Sequence, residues 1–444
     1  MHSSFEKARV PVVGHTRRRQ SGLVAVVGVV VLAATLAACS STDSVTADNS
    51  SSTKSAIPKS AFSDHTGLTA TTVTVGNVST LLEGIFKGAA VGTEAYADYV
   101  NSTGGINGRR IVVDSSDDQY AGAPNRNETQ EDVGKDFAMV GSFSLFDSFG
   151  GVVLKANPQV PNVTVSLDLT TAELPNSFSP APTPNGWILG PLVYFQKKFP
   201  ADVKDAGALV ADEPSAEVKW TAEKAAMEHL GYKVIYDPTF DISTTNFTQY
   251  VVSMKNAGVK ILFMEQMPEN YAAAVVQALN QQDFHPVLVF GGSTYSEELV
   301  PNSGGAAAID GAYMEQNTAL YLGEDASGLP AVNTFLKWVQ TASPGFHADL
   351  YTLYGWLSAE LFSQALKAAG PDPSRGSVLE ALRHITSFSG DYLTGPANPA
   401  DKVPTNCYII ARIENGQYQR LDDPPLDGPT HGYRCDQPFY YHSA

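Results

Sequence analysis

Residues 84–118, GIFKGAAVGTEAYADYVNSTGGINGRRIVVDSSDD, decide the fold of this chain. Residues 101–108 carry turn chemistry, with two glycine-containing pairs that tolerate positive φ. Ile111–Val113 predicts a short buried strand after the turn, and Val73 and Val75 predict another before the helix. These two strands and the helix between them are predicted to form one strand-helix-strand unit. The helix is predicted from apolar residues that recur at steps of three and four: Ile85, Ala89, Gly92, Tyr96, Tyr99 and Val100.

Length and composition place the chain among globular proteins with room for two cores. It has 444 residues, of which 43% are hydrophobic and 17% are charged, and these values are typical of folded domains. The formal net charge of −17 argues against a nucleic-acid partner, because phosphate binding needs clustered Lys and Arg.

The N-terminal region predicts export and lipidation. Arg17–Arg19 precede an apolar run, 23–38, and the sequence LAAC that ends at Cys39 resembles the lipobox of bacterial lipoproteins. We predict a signal peptide over 1–38, a diacylglycerol on the Cys39 thiol and a flexible tether over 39–69. A transmembrane anchor is the alternative, but it needs about 20 apolar residues and the run is shorter. The protein is therefore expected outside the cytoplasm, anchored to the bacterial cell membrane.

From residue 72 onward, strand and helix patterns alternate in two successive runs. Two such runs predict an α/β fold of two doubly wound lobes, each built on a parallel sheet. The predicted strands are 137–140, 160–165, 206–210, 233–236, 261–264, 287–290 and 408–413, and the predicted helices include 152–154, 214–230, 246–257, 270–280, 331–341, 350–369 and 377–384.

Three segments resemble the type I periplasmic binding proteins, in particular the branched-chain amino acid and amide branch of ABC-importer receptors. They are FKGAAVGTEAYADYVNSTGGINGRRI, FAMVGSFSLFDSFGG and ILFMEQMPENYAAAVVQALNQQ. The resemblance implies two lobes joined by three hinge crossings, with an N-lobe of 70–188 and 320–395 and a C-lobe of 189–319 and 396–444. It also implies a small-molecule ligand, an ABC permease as partner and no cofactor.

Binding groups are expected at the carboxyl ends of the parallel strands. After strand 137–140, free backbone N–H groups and the Ser144 hydroxyl are suited to a ligand carboxylate, and Ser166 would complete that pocket. The resemblance assigns these two loops to ligand binding as well. The alternative is that Ser144 is only a helix cap.

The C-lobe departs from the pattern of the family. The resemblance implies a ligand-binding acid after strand 287–290, whereas Gly291–Tyr295 contains none. Glu265, at the end of the preceding strand, is the candidate substitute, although it is equally a candidate for a solvated loop charge. This departure counts against a standard aliphatic amino acid as ligand. The full set of candidate ligand-binding residues is Ser79, Ser142, Phe143, Ser144, Ser166, Asp168, Asp212, Glu265, Gln266, Ser293 and Tyr295.

Other chemistry is not indicated by the sequence. There is no G-x-S-x-G, H-E-x-x-H or phosphate-loop motif, and the nine histidines lack metal spacing. Cys407 and Cys435 lie in the C-terminal part of an exported chain, so we predict a disulfide between them. The expected protein is a monomeric, lipid-anchored solute receptor with no enzymatic activity. The alternatives are a ligand-sensing receptor domain of the same fold and an extracytoplasmic hydrolase.

Overall fold

The structure is a computed structural model that describes residues 56–183, 185–264, 267–435 and 440–441. The predicted signal peptide, the predicted lipidation site Cys39 and most of the predicted tether lie outside the described residues. Among the described helices, none combines the length and the apolarity needed to cross a membrane.

The last part of the predicted tether is packed against the fold, which corrects the prediction for that part. Residues 59–63 form a 3-10 helix in which Ala61 is completely buried. Asp64 accepts a hydrogen bond from the buried Arg375 guanidinium at 3.0 Å, and the backbone N–H of Thr74 donates to the carbonyl of Gly67 at 2.9 Å. An ion pair that is mostly removed from water holds this segment in place.

The first sheet begins with the segment that decides the fold. Gly104 and Gly105 adopt positive φ after the long helix, and the Asn101 amide then bonds to both backbone groups of Ile111, each at 2.8 Å. All neighbouring strands of this first sheet are parallel to each other. The elements are β1 (Thr72–Ser79), α1 (Lys87–Ser102), β2 (Arg110–Asp117), α2 (Gly122–Lys135), β3 (Ala138–Val140), α3 (Asp147–Ala156), β4 (Asn162–Val163), α4 (Leu169–Ala172) and β5 (Ser177–Phe178), with the sheet order β2-β1-β3-β4-β5.

The next part of the chain builds a second sheet on the same alternation. The strands predicted over 261–264 and 287–290 have these bounds in the structure. The elements are β6 (Trp187–Ile188), α5 (Leu189–Lys198), β7 (Ala206–Ala208), β8 (Val210–Ala211), α6 (Pro214–His229), β9 (Val234–Tyr236), β10 (Thr239–Phe240), α7 (Thr248–Ala257), β11 (Ile261–Met264), α8 (Glu269–Gln281), β12 (Val287–Phe290), α9 (Leu299–Asn302), α10 (Ala306–Ile309) and β13 (Tyr313–Gln316).

Three helices then return to the first sheet, and the chain ends on the second. Helices α11 (Pro330–Ala342) and α12 (Leu350–Ala368) both pack on α1, and α13 (Arg375–Leu382) follows them. Strands β14 (Ile409–Glu414) and β15 (Gln417–Arg420) add an antiparallel edge to the parallel strands of the second sheet. Its order is β15-β14-β13-β12-β11-β7-β9.

The chain passes between the two sheets three times, through 179–205, 317–329 and 383–408. The second and third passages pair with each other, since the backbone N–H of Gly395 donates to the carbonyl of Asn317 at 2.8 Å. The described residues Tyr440–Tyr441 form a last short strand, β16, that pairs antiparallel with β6. These connections give the expected two-lobed α/β fold; the lobe boundaries themselves stay predictions.

The disulfide prediction is confirmed. Cys407 and Cys435 are bonded to each other across 28 positions of sequence. Cys407 immediately precedes the residues that lead into β14, so the bridge ties the C-terminal segment to the second sheet. In the chain-entropy account, a closure of this length stabilises the fold by about 3 kcal/mol.

Candidate functional site

A cavity of about 790 Å³ lies between the two sheets. It is lined from both lobes at the carboxyl ends of the strands, and also by the passages that join the lobes. This is the position at which open α/β sheets bind ligands, and the volume lies in the range of small-molecule sites. The residues on its wall include 85–86, 143, 145, 165, 167, 169, 181–183, 185–188, 211, 213, 216, 218–219, 221–222, 267–268, 270–271, 291–293, 315–317, 350–351 and 354.

One wall of the cavity is aromatic. Phe86 lies between Phe143 and Tyr351, with ring centroids at 5.0 and 4.6 Å, and Tyr354 stacks on Phe143 at 6.1 Å. In the part of the chain that the structure describes, neither tyrosine hydroxyl has a hydrogen-bond partner. The wall therefore offers ring faces to an apolar group and two hydroxyls to a polar one.

Exposed aliphatic residues extend the apolar surface, Ile85 beside the aromatic wall and Val218 and Ile242 on the opposite lobe. Ile85, Val218 and Ile242 line the cavity although their exposed fractions are 41%, 58% and 41%. Apolar side chains that are left exposed around one concavity mark a binding surface more often than a neutral part of the exterior.

The charged side chains on the wall have distinct surroundings. Glu213 accepts a hydrogen bond from the Tyr120 hydroxyl at 2.8 Å, which joins the two lobes across the cavity. Glu315 is buried near the end of β13. Lys219, on α6, is the one cation among the described lining residues, and within the described chain it makes no hydrogen bond or ion pair. Burial lowers the pKa of Lys219, and the charge of Asp147 opposes this shift.

Asp118 organises the loops on the N-lobe side of the site. Its buried carboxylate accepts hydrogen bonds from the Thr80 hydroxyl at 2.7 Å, the Asn125 amide at 3.1 Å and the Ser144 hydroxyl. It also accepts from the backbone N–H of Tyr120, whose φ of 56° is unusual for a residue with a side chain. The cost of this backbone conformation is offset by the network, which holds Tyr120 at the cavity.

The serines predicted to receive a ligand carboxylate lie behind the cavity wall. Ser142, Ser144 and Ser166 line a separate pocket of about 30 Å³, which has room for water-sized groups only. The Ser144 hydroxyl is engaged with Asp118, and the Ser142 hydroxyl accepts from the backbone N–H of Val78 at 3.0 Å. Ligand contact by these three residues stays a prediction.

Asp147, the first residue of α3, places its carboxylate against the loop between β4 and α4. Asp147 accepts from the backbone N–H groups of Leu167 at 2.8 Å and Asp168 at 3.2 Å. Burial raises the pKa of Asp147 to about 6, although these hydrogen bonds act to lower it. A second carboxylate at this position would be repelled by Asp147 in its ionised form.

The structure places the remaining candidate ligand-binding residues in different surroundings. Phe143 and Ser293 line the cavity. Ser79 and Tyr295 are buried, and their hydroxyls donate to Asn77 and to Glu324. Asp168 caps α4, Asp212 is exposed, and Glu265 and Gln266 lie outside the described residues.

Several cavity residues were missed because their partners lie far along the chain. Tyr351 and Tyr354 are in the first turns of α12, about 200 residues from the loop that holds Phe143. Lys219 lies in a helix whose sequence resembles a solvated one. The sequence signal that was available is the local spacing of the tyrosines, which puts both on one face of the helix.

Comparisons with known proteins give the same architecture. The family model described as periplasmic binding protein matches residues 73–417. The Leu/Ile/Val-binding protein homolog 1 of Brucella melitensis is 24% identical over 343 residues, which cover 73% of this chain and 85% of that protein.

Two solved structures share the fold. The fatty acid ABC transporter substrate-binding protein from Thermomonospora curvata has a TM-score of 0.66 at 17% identity, over 86% of this chain and 95% of that one. An ABC transporter solute-binding protein from R. palustris, in complex with 4-hydroxybenzoate, has a TM-score of 0.66 at 17% identity, over 83% and 98%. Relatives of this kind bind solutes outside the cytoplasm and are not enzymes. The family match, which extends over most of the chain, shows that the protein belongs to the type I periplasmic binding proteins and is a substrate-binding protein of the ABC-transporter class.

Proposed function

We propose that the protein is a monomeric, lipid-anchored receptor of an ABC importer, which captures a small molecule between its lobes and presents it to a membrane permease. The observation that carries the proposal is the cavity lined by both lobes at the carboxyl ends of their strands. A ligand there contacts both lobes at once, so it stabilises the closed arrangement by its differential affinity. The receptor itself performs no chemistry.

The walls favour a ligand with a substantial apolar body. Three aromatic residues, Phe86, Phe143 and Tyr351, form one side, and exposed aliphatic side chains form part of the other. The relatives named above are described as binding Leu/Ile/Val, fatty acid and 4-hydroxybenzoate. Amino acids and amides remain candidates, together with aliphatic and aromatic acids.

A thermal-shift screen on the full-length chain tests the receptor function. The panel contains amino acids, amides, urea, polyamines, and aliphatic and aromatic acids. A true ligand at a hundredfold excess over its Kd is expected to add about 2.7 kcal/mol to the free energy of unfolding. If no compound in the panel raises the melting temperature, the proposed function loses its support.

The same preparation tests the anchor. Intact-mass analysis of chain recovered from the membrane fraction is expected to show a diacylated N-terminus at Cys39. The Cys39→Ala variant is expected to keep its signal peptide and to lack the lipid. A mature chain that starts at another residue and carries no lipid would contradict the anchor while leaving the receptor function in place.

A further inference from the structure

Lys219 places a positive charge in a cavity whose walls are mostly apolar. It lies on α6 among the cavity residues Ala216, Val218 and Ala222, and across the cavity are the rings of the aromatic wall. Within the described chain no acceptor lies within hydrogen-bonding distance of its Nζ. An ammonium in such surroundings is costly to keep charged unless an anion accompanies it.

The other position suited to an anion is closed. The N–H groups of Leu167 and Asp168, in the loop between β4 and α4, already bond to the carboxylate of Asp147, and the Ser144 hydroxyl donates to Asp118. Two acids therefore stand where the pattern of the family leads one to expect a ligand carboxylate. The charge of Asp147 acts on Lys219 without an ion pair between them, so the Nζ of Lys219 is the one cationic position for a ligand carboxylate among the described lining residues.

We propose that the receptor takes a monocarboxylate with a large apolar body, whose carboxylate pairs with the Nζ of Lys219 while its hydrocarbon lies against the aromatic and aliphatic walls. This inference rests on the proposed receptor function and names its substrate class. The aromatic wall of Phe86, Phe143, Tyr351 and Tyr354 accommodates the body, and exposed Val218 extends the apolar surface beside Lys219.

Three compounds with the same apolar body and different charged groups test how the charge of the ligand affects its affinity. These are 3-phenylpropanoate, its neutral amide 3-phenylpropanamide, and phenylalanine, which adds an ammonium. Octanoate and octanamide repeat the comparison for an aliphatic body. Binding to the full-length chain is followed by calorimetric titration and by the change in tryptophan fluorescence, since one of the four tryptophans, Trp187, lines the cavity.

Variants at Lys219 then assign the pairing. The wild-type chain is expected to bind each carboxylate about tenfold or more tighter than its amide. In Lys219→Met the affinity for the carboxylate falls by about that factor and the affinity for the amide changes less than about twofold, so the preference disappears. Lys219→Arg retains the preference. Lys197→Met, an equal loss of charge at an exposed residue of α5 away from the cavity, is the matched control.

The outcomes separate this inference from the receptor function. An acid-to-amide ratio that is unchanged in Lys219→Met overturns the role of Lys219, as does equal loss in the Lys197→Met control. Binding of phenylalanine or the amides without binding of the carboxylates overturns the substrate class. The receptor function would then stand, with Glu213 or Glu315 as the charged residue that contacts the ligand. If neither these compounds nor the screening panel binds the wild-type chain, both proposals fail.

Discussion

At the scale of single residues, the buried carboxylate of Asp132 is expected to lower stability. It is completely buried below Gly76 of β1, and neither of its oxygens has a hydrogen bond of good geometry. Lys135 Nζ is 3.3 Å from Oδ1, but the same ammonium also lies 3.0 Å from Asp114. Burial, followed by repulsion from Asp136, raises the pKa of Asp132 from 3.8 to about 7.

This shift makes the protein less stable as the pH rises. In the unfolded chain Asp132 ionises near its ordinary pKa, whereas in the folded chain it keeps its proton up to about pH 7. The unfavourable contribution therefore grows between about pH 4 and 7 and is fully present above that range. Asp132→Asn removes it, and we expect the free energy of unfolding at pH 8 to increase by about 1–3 kcal/mol.

Chemical denaturation between pH 4 and 8 checks this expectation. The variant should show a flatter pH profile than the wild type, and the two should differ least at pH 4. Asp372→Asn makes the same change at an exposed residue and is expected to leave the profile unchanged. If Asp132→Asn and Asp372→Asn give the same profile, Asp132 is adequately paired in the folded chain.

At the scale of elements, the N-lobe is held by backbone contact between α1 and α12. A Cβ atom built on Gly92 would lie 1.9 Å from the carbonyl oxygen of Thr352, and one on Gly355 would lie 2.1 Å from that of Ala89. Both distances are far below any real contact. The helices therefore cross at a separation that only glycine permits, and α12 carries the two tyrosines of the cavity wall.

Gly92→Ala is expected to force the two helices apart. Overpacking of this kind lowers the free energy of unfolding by about 1–3 kcal/mol, or more where backbone atoms must move. Gly134→Ala in α2 is the matched control, because a Cβ there meets nothing within 4 Å. That control is expected to raise stability by about 0.5–1 kcal/mol. Urea denaturation measures both, and equal effects of the two substitutions would contradict the close crossing.

At the scale of the whole molecule, a direct hydrogen bond joins the two lobes. Tyr120 follows β2 in the N-lobe, and its hydroxyl reaches Glu213 at the start of α6 in the C-lobe. Tyr120 and Glu213 both line the cavity, and so does Asn317 of the chain passages, whose carbonyl accepts from the backbone N–H of Gly395. The two lobes thus have a direct side-chain contact at the cavity, in addition to the chain passages.

Tyr120→Phe removes this contact and is expected to shift the free protein toward open arrangements. Small-angle scattering of the unliganded chain should show a larger radius of gyration. Ligand affinity should weaken by about 0.5–1.5 kcal/mol, since closure no longer forms the bond. Tyr236→Phe loses a comparable hydrogen bond, to the carbonyl of Tyr250 within the C-lobe, and should change neither quantity. Identical scattering from Tyr120→Phe and wild type would show that the contact does not hold the lobes.

The elements and their order were determined by the sequence itself. Periodicity and turn residues predicted the strand 287–290 and the helix after residue 84, because these patterns arise from hydrogen bonds and packing among near neighbours. The two late cysteines in an exported chain were likewise enough to predict their bridge.

The side chains that face the ligand were decided only by tertiary structure. Ser144 has the residue type and the position expected of a residue that binds a ligand carboxylate. Its hydroxyl is instead hydrogen-bonded to Asp118, which lies 26 residues away in sequence. Lys219 and Tyr351 are ordinary helix residues until the packing of α6 and α12 brings them to one cavity. Local pattern encodes which element a residue joins, whereas its hydrogen-bond partners are set by contacts between distant segments, and binding depends on those partners.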